Sequence, residues 1–155
     1  LERRLPQWVD KDQLDNDDQI NERNVFVVLV NRNNQLLVEG DVIRIDELRE
    51  RAKEFMENPA NAEDLPEKVP TEVAYFGTVD VTKGVISLQN DNDTKYGTYL
   101  AVQNELVGAI NELRDELSKS KFGKSYNDLD SEQQKAIRII VPSKISEAEP
   151  KKAKN

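Results

Sequence analysis

The sequence predicts an α+β domain of two layers, a mixed sheet of about four strands with two helices on one face. Short β-branched runs at Val25–Val30 and Val85–Leu88, each bounded by polar residues, supply the strands. Two longer segments carry apolar residues at helical spacing. The elements follow in the order β-β-α-(insert)-β-α-β, so both helices are expected to cover the same side of the sheet.

Residues 1–23 read as a flexible linker, with seven acids, four bases and few apolar groups. The exceptions sit together as Leu5, Pro6, Trp8 and Val9, an apolar patch that suggests docking onto a folded surface. The first strand follows at 24–31. Its Val25, Phe26, Val27, Val28, Leu29 and Val30 do not alternate with polar residues, so both of its faces are expected to be covered. Either the strand is simply unusually apolar or the insert folds over its second face, or else a second copy or a partner is expected to cover it. A turn at Arg32-Asn33-Asn34 uses the tolerance of Asn for left-handed backbone. Gln35–Glu39 then pairs back as a hairpin, ended by Gly40-Asp41.

Ile45–Glu57 is predicted as a helix. Ile45, Leu48, Ala52, Phe55 and Met56 make one stripe, Asp46 and Glu47 suit the positive helix start, and Asn58-Pro59 stops it. Residues 58–83 read as an insert, a proline-containing loop followed by an extra strand or hairpin arm over Val73–Val81, with Lys83-Gly84 as its turn. Val85–Gln89 is the next strand and Asn90–Asp93 a polar turn. A long helix is expected from Tyr96 to Lys121, where Tyr99, Val102, Leu106, Ile110, Leu113 and Leu117 form one face and Gly123 terminates it. Asp130–Ile137 suggests a short helix. Ile137, Ile139 and Val141 alternate as a last strand closed by Pro142. Residues 24–142 thus form the domain, and 143–155 a charged tail expected to be disordered.

Composition narrows function. The formal net charge is −8, and no internal segment offers the basic patch that phosphate recognition needs, so nucleic acid is not expected as a partner. Acidic balance also argues against anionic membrane surfaces. The longest apolar run, Val25–Val30, falls far short of the roughly 20 residues of a membrane helix. With no cysteine and no histidine, the chain lacks disulfides, the usual zinc ligands and the residues of Ser-His or Cys-His catalysis. Asp91-Asn92-Asp93 resembles the start of a calcium loop, but Lys95, Tyr96 and Val102 occupy positions that need an oxygen ligand, Gly and Glu. No catalytic, metal-binding or cofactor-binding residue is expected, and the chain reads as a non-enzyme.

Two blocks carry a family resemblance. Residues 24–57, NVFVVLVNRNNQLLVEGDVIRIDELRERAKEF and its last two residues, resemble the first periplasmic half of ExbD/TolR proteins. They run strand, turn, strand, Gly, then a helix entered through Ile45-Asp46-Glu47-Leu48. Residues 85–117, VISLQNDNDTKYGTYLAVQNELVGAINELRDEL, resemble the family's strand, polar turn, Tyr-Gly pair (Tyr96, Gly97) and long helix. Leu5-Pro6 is similar to the step that follows the family's membrane helix. The phrases VISLQND and VQNELVGAINELRDEL look most like ExbD forms of Bacteroidetes.

The resemblance implies a domain on the periplasmic face of the bacterial inner membrane, anchored by an upstream helix that bears a proton-carrying Asp. It implies homodimers within ExbB- or TolQ-type membrane subunits, and transfer of proton-motive force to TonB- or TolA-like proteins in support of outer-membrane transport. Partner-binding residues are then expected at Leu5, Pro6, Trp8 and Val9 as a docking strand, and at Val25, Val27, Leu29, Ile139 and Val141. The insert, residues 122–136 and the tail exceed the family core. An alternative is a peptidoglycan-binding envelope anchor, motivated by the polar insert and the acidic surface. A carboxylate-based hydrolase rests only on the abundance of acids.

Overall fold

A computed structural model describes residues 22–147. It is an α+β fold of two layers. Strands β1 (Val25–Val30), β2 (Leu36–Val38), β3 (Asp41–Ile43), β6 (Val85–Asn90) and β7 (Ile145–Glu147) form one sheet in the order β3-β2-β1-β6-β7. β1 pairs antiparallel with β2 and parallel with β6, and β7 lies parallel to β6. Helices α1 (Ile45–Glu57) and α2 (Tyr96–Phe122) pack on one face of that sheet. Strands β4 (Lys68–Val73) and β5 (Gly77–Thr82) form a separate hairpin, and helix α3 (Ser131–Ile140) precedes β7.

The core lies between sheet and helices. Phe26, Val28 and Val30 of β1 meet Ile86 and Leu88 of β6, Leu48, Ala52 and Phe55 of α1, and Val102, Leu106 and Ala109 of α2. Phe26 and Phe55 stack at 4.9 Å between centroids. Gly84, in the link from β5 to β6, is held by close packing. A Cβ there would lie 2.8 Å from the Phe55 ring and 3.0 Å from Pro66.

Among the described residues the sheet has five strands where about four are expected. The additional one, β3, follows a two-residue reversal in which Glu39 (φ 53) and Gly40 (φ 87) are both left-handed, the geometry that matches strand twist in a hairpin. Gly40-Asp41 therefore turns the chain into another strand and does not end the hairpin. The Val73–Val81 stretch forms the turn and second arm of a hairpin, the hairpin arm expected as the alternative to a single extra strand. Tyr75 (φ 71) and Gly77 (φ 76) reverse it, and Lys83-Gly84 links the hairpin to β6.

The expected strand over Ile137–Val141 is helix. Asp130 accepts from the Gln133 N–H at 2.8 Å while the Gln133 side chain accepts from the Asp130 N–H at 3.1 Å. This reciprocal cap starts a helix whose Ala136 and Ile137 are buried. The last strand lies further on, at Ile145–Glu147, inside the region expected to be a disordered tail. There Tyr99 Oη donates to Glu147 at 2.8 Å, and Gln103 also donates to that carboxylate. Burial, and then the Glu147 carboxylate, pushes the Tyr99 phenol far above its ordinary value. Residues 148–155 and 1–21 lie outside the described residues. Arg23, placed in the linker by sequence, bonds the Leu65 and Ala62 carbonyls at 2.7 and 3.1 Å.

An ionic ladder joins the two long helices. Arg49 reaches Glu105 at 3.0 Å and Glu112 at 2.6 Å, and Lys53 reaches Glu112 at 3.1 Å and Glu116 at 2.8 Å. Gly108 leaves room for the Arg49 guanidinium, since a Cβ there would sit 2.5 Å from it. Arg49, then Lys53, hold the Glu112 carboxyl below the usual carboxylate range. The Asn24 amide, with Lys83 and Arg23, does the same for Glu67.

Both folded-state values are depressed. Their stabilisation is therefore complete above the unfolded value of about 4.3 and is lost as pH falls through the folded values. Thermal melts across pH are expected to show a plateau above about pH 5 and a decline below about pH 4. Glu112→Gln is expected to flatten that decline, and an unchanged acid limb in this variant would remove the ladder as its cause.

Candidate functional site

The side chains of β1 divide by alternation into two sets. Phe26, Val28 and Val30 are in the core at 5%, 0% and 0% exposure, while Val25, Val27 and Leu29 point to the opposite face and are half-buried. Register extends this second face across the sheet. Leu29 lies beside Leu37 of β2, and Leu37 beside Val42 of the edge strand β3, which is 60% exposed. Val85 lies beside Val25, and Ser87 and Gln89 beside Val27 and Leu29. An apolar row thus runs from the central strand to the β3 edge, away from the helices.

The insert does not take the role of a lid over this face. Its loop is built around Asn58, and its hairpin packs against α3 and the end of α2. The Val27 N–H donates to Glu39 Oε2 at 2.7 Å and the Glu39 N–H to the Val27 carbonyl at 3.1 Å, so the backbone of β1 remains satisfied beyond its ladder with β2.

Three of the sequence-derived partner residues, Val25, Val27 and Leu29, therefore share one surface. Ile139 does not join them. It is 40% exposed on α3. Val141 caps α3, packs against the core and lines a crevice of about 320 Å³ between α1, α2, α3 and the hairpin. The physical reason is the helix over 131–140, which takes both residues off the sheet. Leu5, Pro6, Trp8 and Val9 lie outside the described residues. Leu37, Val42 and Val85 belong to the face but were not singled out by sequence, because only the strand register places them beside Leu29 and Val25.

A second apolar feature borders the β3 edge. Leu36, Ile43 and Ile45 line, with Ala101 and Val102 of α2, a groove of about 510 Å³. Asp91, the first residue of the calcium-like motif, closes the loop between β6 and α2. Its Oδ2 accepts the Arg32 N–H at 3.0 Å and its own N–H donates to the Val30 carbonyl at 3.0 Å. Among the described residues no three Asp or Glu side chains converge as a metal site.

Among the described residues the arrangement offers a half-buried apolar sheet face with a short strand at each edge. Such a face suits packing against another polypeptide, and such an edge suits the addition of a strand. No protein-family model and no curated protein sequence matches this chain. Fold and face together describe a two-layer α+β domain that buries one side of its sheet under helices and leaves an apolar row on the other.

Proposed function

We propose that this domain is the periplasmic part of an energy-transducing subunit of the ExbD/TolR type, a non-enzymatic protein that works by protein–protein binding. One observation supports the reading above the others. The two blocks that resemble the family, 24–57 and 85–117, fold into a single unit: β1 lies parallel beside β6 over its full length, and α1 packs on α2. Of the segments that exceed the family pattern, the β4–β5 hairpin and α3 pack outside the main sheet, and the tail adds its edge strand β7.

On this proposal the membrane-embedded partners are ExbB- or TolQ-like, the periplasmic partner is TonB- or TolA-like, and the domain acts as a homodimer. Val25, Val27 and Leu29 supply the binding face. The proton step belongs to a membrane helix upstream of Leu1.

The test is made in the full-length protein. A photo-crosslinking residue at Leu29 is expected to capture the TonB- or TolA-like partner, and a residue at buried Val28 is expected to capture nothing. Replacing the single Asp of the upstream membrane helix by Asn is expected to abolish energy-dependent outer-membrane transport. A reading frame without an apolar helix of about 20 residues before Leu1 would sink the proposal.

A further inference from the structure

At the far end of α2 an aromatic and basic patch stands on an otherwise acidic chain. The hairpin turn brings Tyr75 and Phe76 against Phe122 edge-on, at 5.3 and 6.0 Å between ring centroids. Lys121 Nζ lies 5.1 Å over the Phe76 ring. Lys119 and Lys124 are exposed within one turn of Phe122 along the chain. Among the described residues none of these three lysines forms an ion pair.

The negative end of α2 accounts for lysines there. It does not account for Tyr75, which is 50% exposed and holds φ at 71. The left-handed region is strained for an aromatic residue and free of cost for glycine. A half-exposed ring kept in strained backbone, in an aromatic cluster that Lys121 joins and that Lys119 and Lys124 flank along the chain, suits an anionic surface that also accepts an amphipathic ring.

We propose that this patch binds an anionic phospholipid surface, with Tyr75 entering the headgroup region and Lys119, Lys121 and Lys124 meeting its phosphates. The whole chain carries −8, yet at physiological salt charges beyond about 8 Å are largely screened, so the local patch governs the contact. A nucleic acid would require a longer basic track. Nothing in this surface depends on the motor-subunit reading.

The 155-residue chain is sedimented with vesicles of phosphatidylcholine alone and of phosphatidylcholine with phosphatidylglycerol. Pelleting is expected only with the anionic vesicles and is expected to weaken as salt rises. Each Lys→Gln change among Lys119, Lys121 and Lys124 is expected to lower partition roughly fivefold. Tyr75→Gly is expected to lower it several-fold with an unchanged melting temperature, because the strain it relieves and the ring contact it removes are of similar size. Equal pelleting with both vesicle types, or undiminished pelleting of the triple Gln variant, overturns the proposal. Capture by a single-stranded oligonucleotide in preference to anionic vesicles also overturns it and assigns the patch to nucleic acid.

Discussion

Asn58→Ala is expected to destabilise the domain by about 3–5 kcal/mol, a fall in melting temperature of roughly 10–20 °C. Asn58 is fully buried, at 0% exposure, and adopts φ 40 at the end of α1. Its Nδ2 donates to the Pro66 carbonyl at 2.9 Å and to the Ala62 carbonyl at 3.4 Å, and its Oδ1 accepts the Ala62 N–H at 2.7 Å. One side chain therefore organises the whole loop between α1 and β4. Alanine leaves a buried carbonyl and a part-buried N–H without this partner, each costing about 1–3 kcal/mol. It also places a Cβ in the left-handed region, at about 1–2 kcal/mol.

Two further variants separate these causes. Asn58→Gly accepts the backbone without strain but still loses the hydrogen bonds, so it is expected to recover only about 1 kcal/mol relative to alanine. Asn58→Asp keeps the acceptor for Ala62 but turns an acceptor toward two carbonyls, so the folded state favours the protonated acid. Its folded pKa is raised. The variant is then most stable below the unfolded value of about 3.9 and loses stability as pH rises toward the folded value. Denaturant unfolding of the three variants at two pH values reads out both effects. Equal stability of the alanine and wild-type proteins would show that water replaces the side chain at no cost.

The visibility of Asn58 differs between levels of description. Asn58-Pro59 was legible as a helix stop because both residues disfavour continuation. The network was not, because its partners lie four and eight residues away in a loop without periodicity. The same contrast runs through the fold. β1 and β6 are long enough to show as apolar runs, and α1 and α2 as a helical period, and they lie where the sequence places them. β3 and β7 have three residues each, too few for any pattern.

Over Ile137–Val141 two periods compete. Ile137, Ile139 and Val141 satisfy a strand, while Ala136, Ile137 and Ile140 satisfy a helix. The Asp130–Gln133 cap decides for the helix, and that spacing was visible in advance. Asp115 and Lys119 stand four residues apart, the spacing of a supporting helix pair, yet Asp115 accepts the Tyr126 N–H at 2.8 Å and anchors the following loop. Lys119 and Lys121 fall in the last turn of α2, where sequence alone favours cations, but the contact of Lys121 with Phe76 depends on where the hairpin turns. The open sheet face was half legible. β1 lacked alternation, which marked it, but Leu37 and Val42 enter the face only through pairing register.

The two sheet faces separate most sharply in a matched pair of leucines. Leu88→Ala is expected to cost about 2–5 kcal/mol, and Leu29→Ala about 1 kcal/mol or less. Leu88 is at 0% exposure on the helix-covered face, beside Val28 in the parallel ladder. Its removal opens a cavity between β6 and the helices, bounded by packed side chains that relax little. Leu29 sits one residue further along β1 on the opposite face, half-buried beside Leu37. Its truncation leaves no closed void, because the face already borders solvent or a partner.

The difference between the two variants measures how far the second face contributes to the isolated fold. A glutamate at Leu29 extends the comparison: it is expected to leave the melting temperature of the isolated domain nearly unchanged and to abolish partner capture in the full-length protein. If Leu29→Glu unfolds the isolated domain, the face is internal to the fold and does not serve as a docking surface. If it does neither, binding runs through the β3 edge or the groove beside it, and Val42→Glu becomes the variant that removes it.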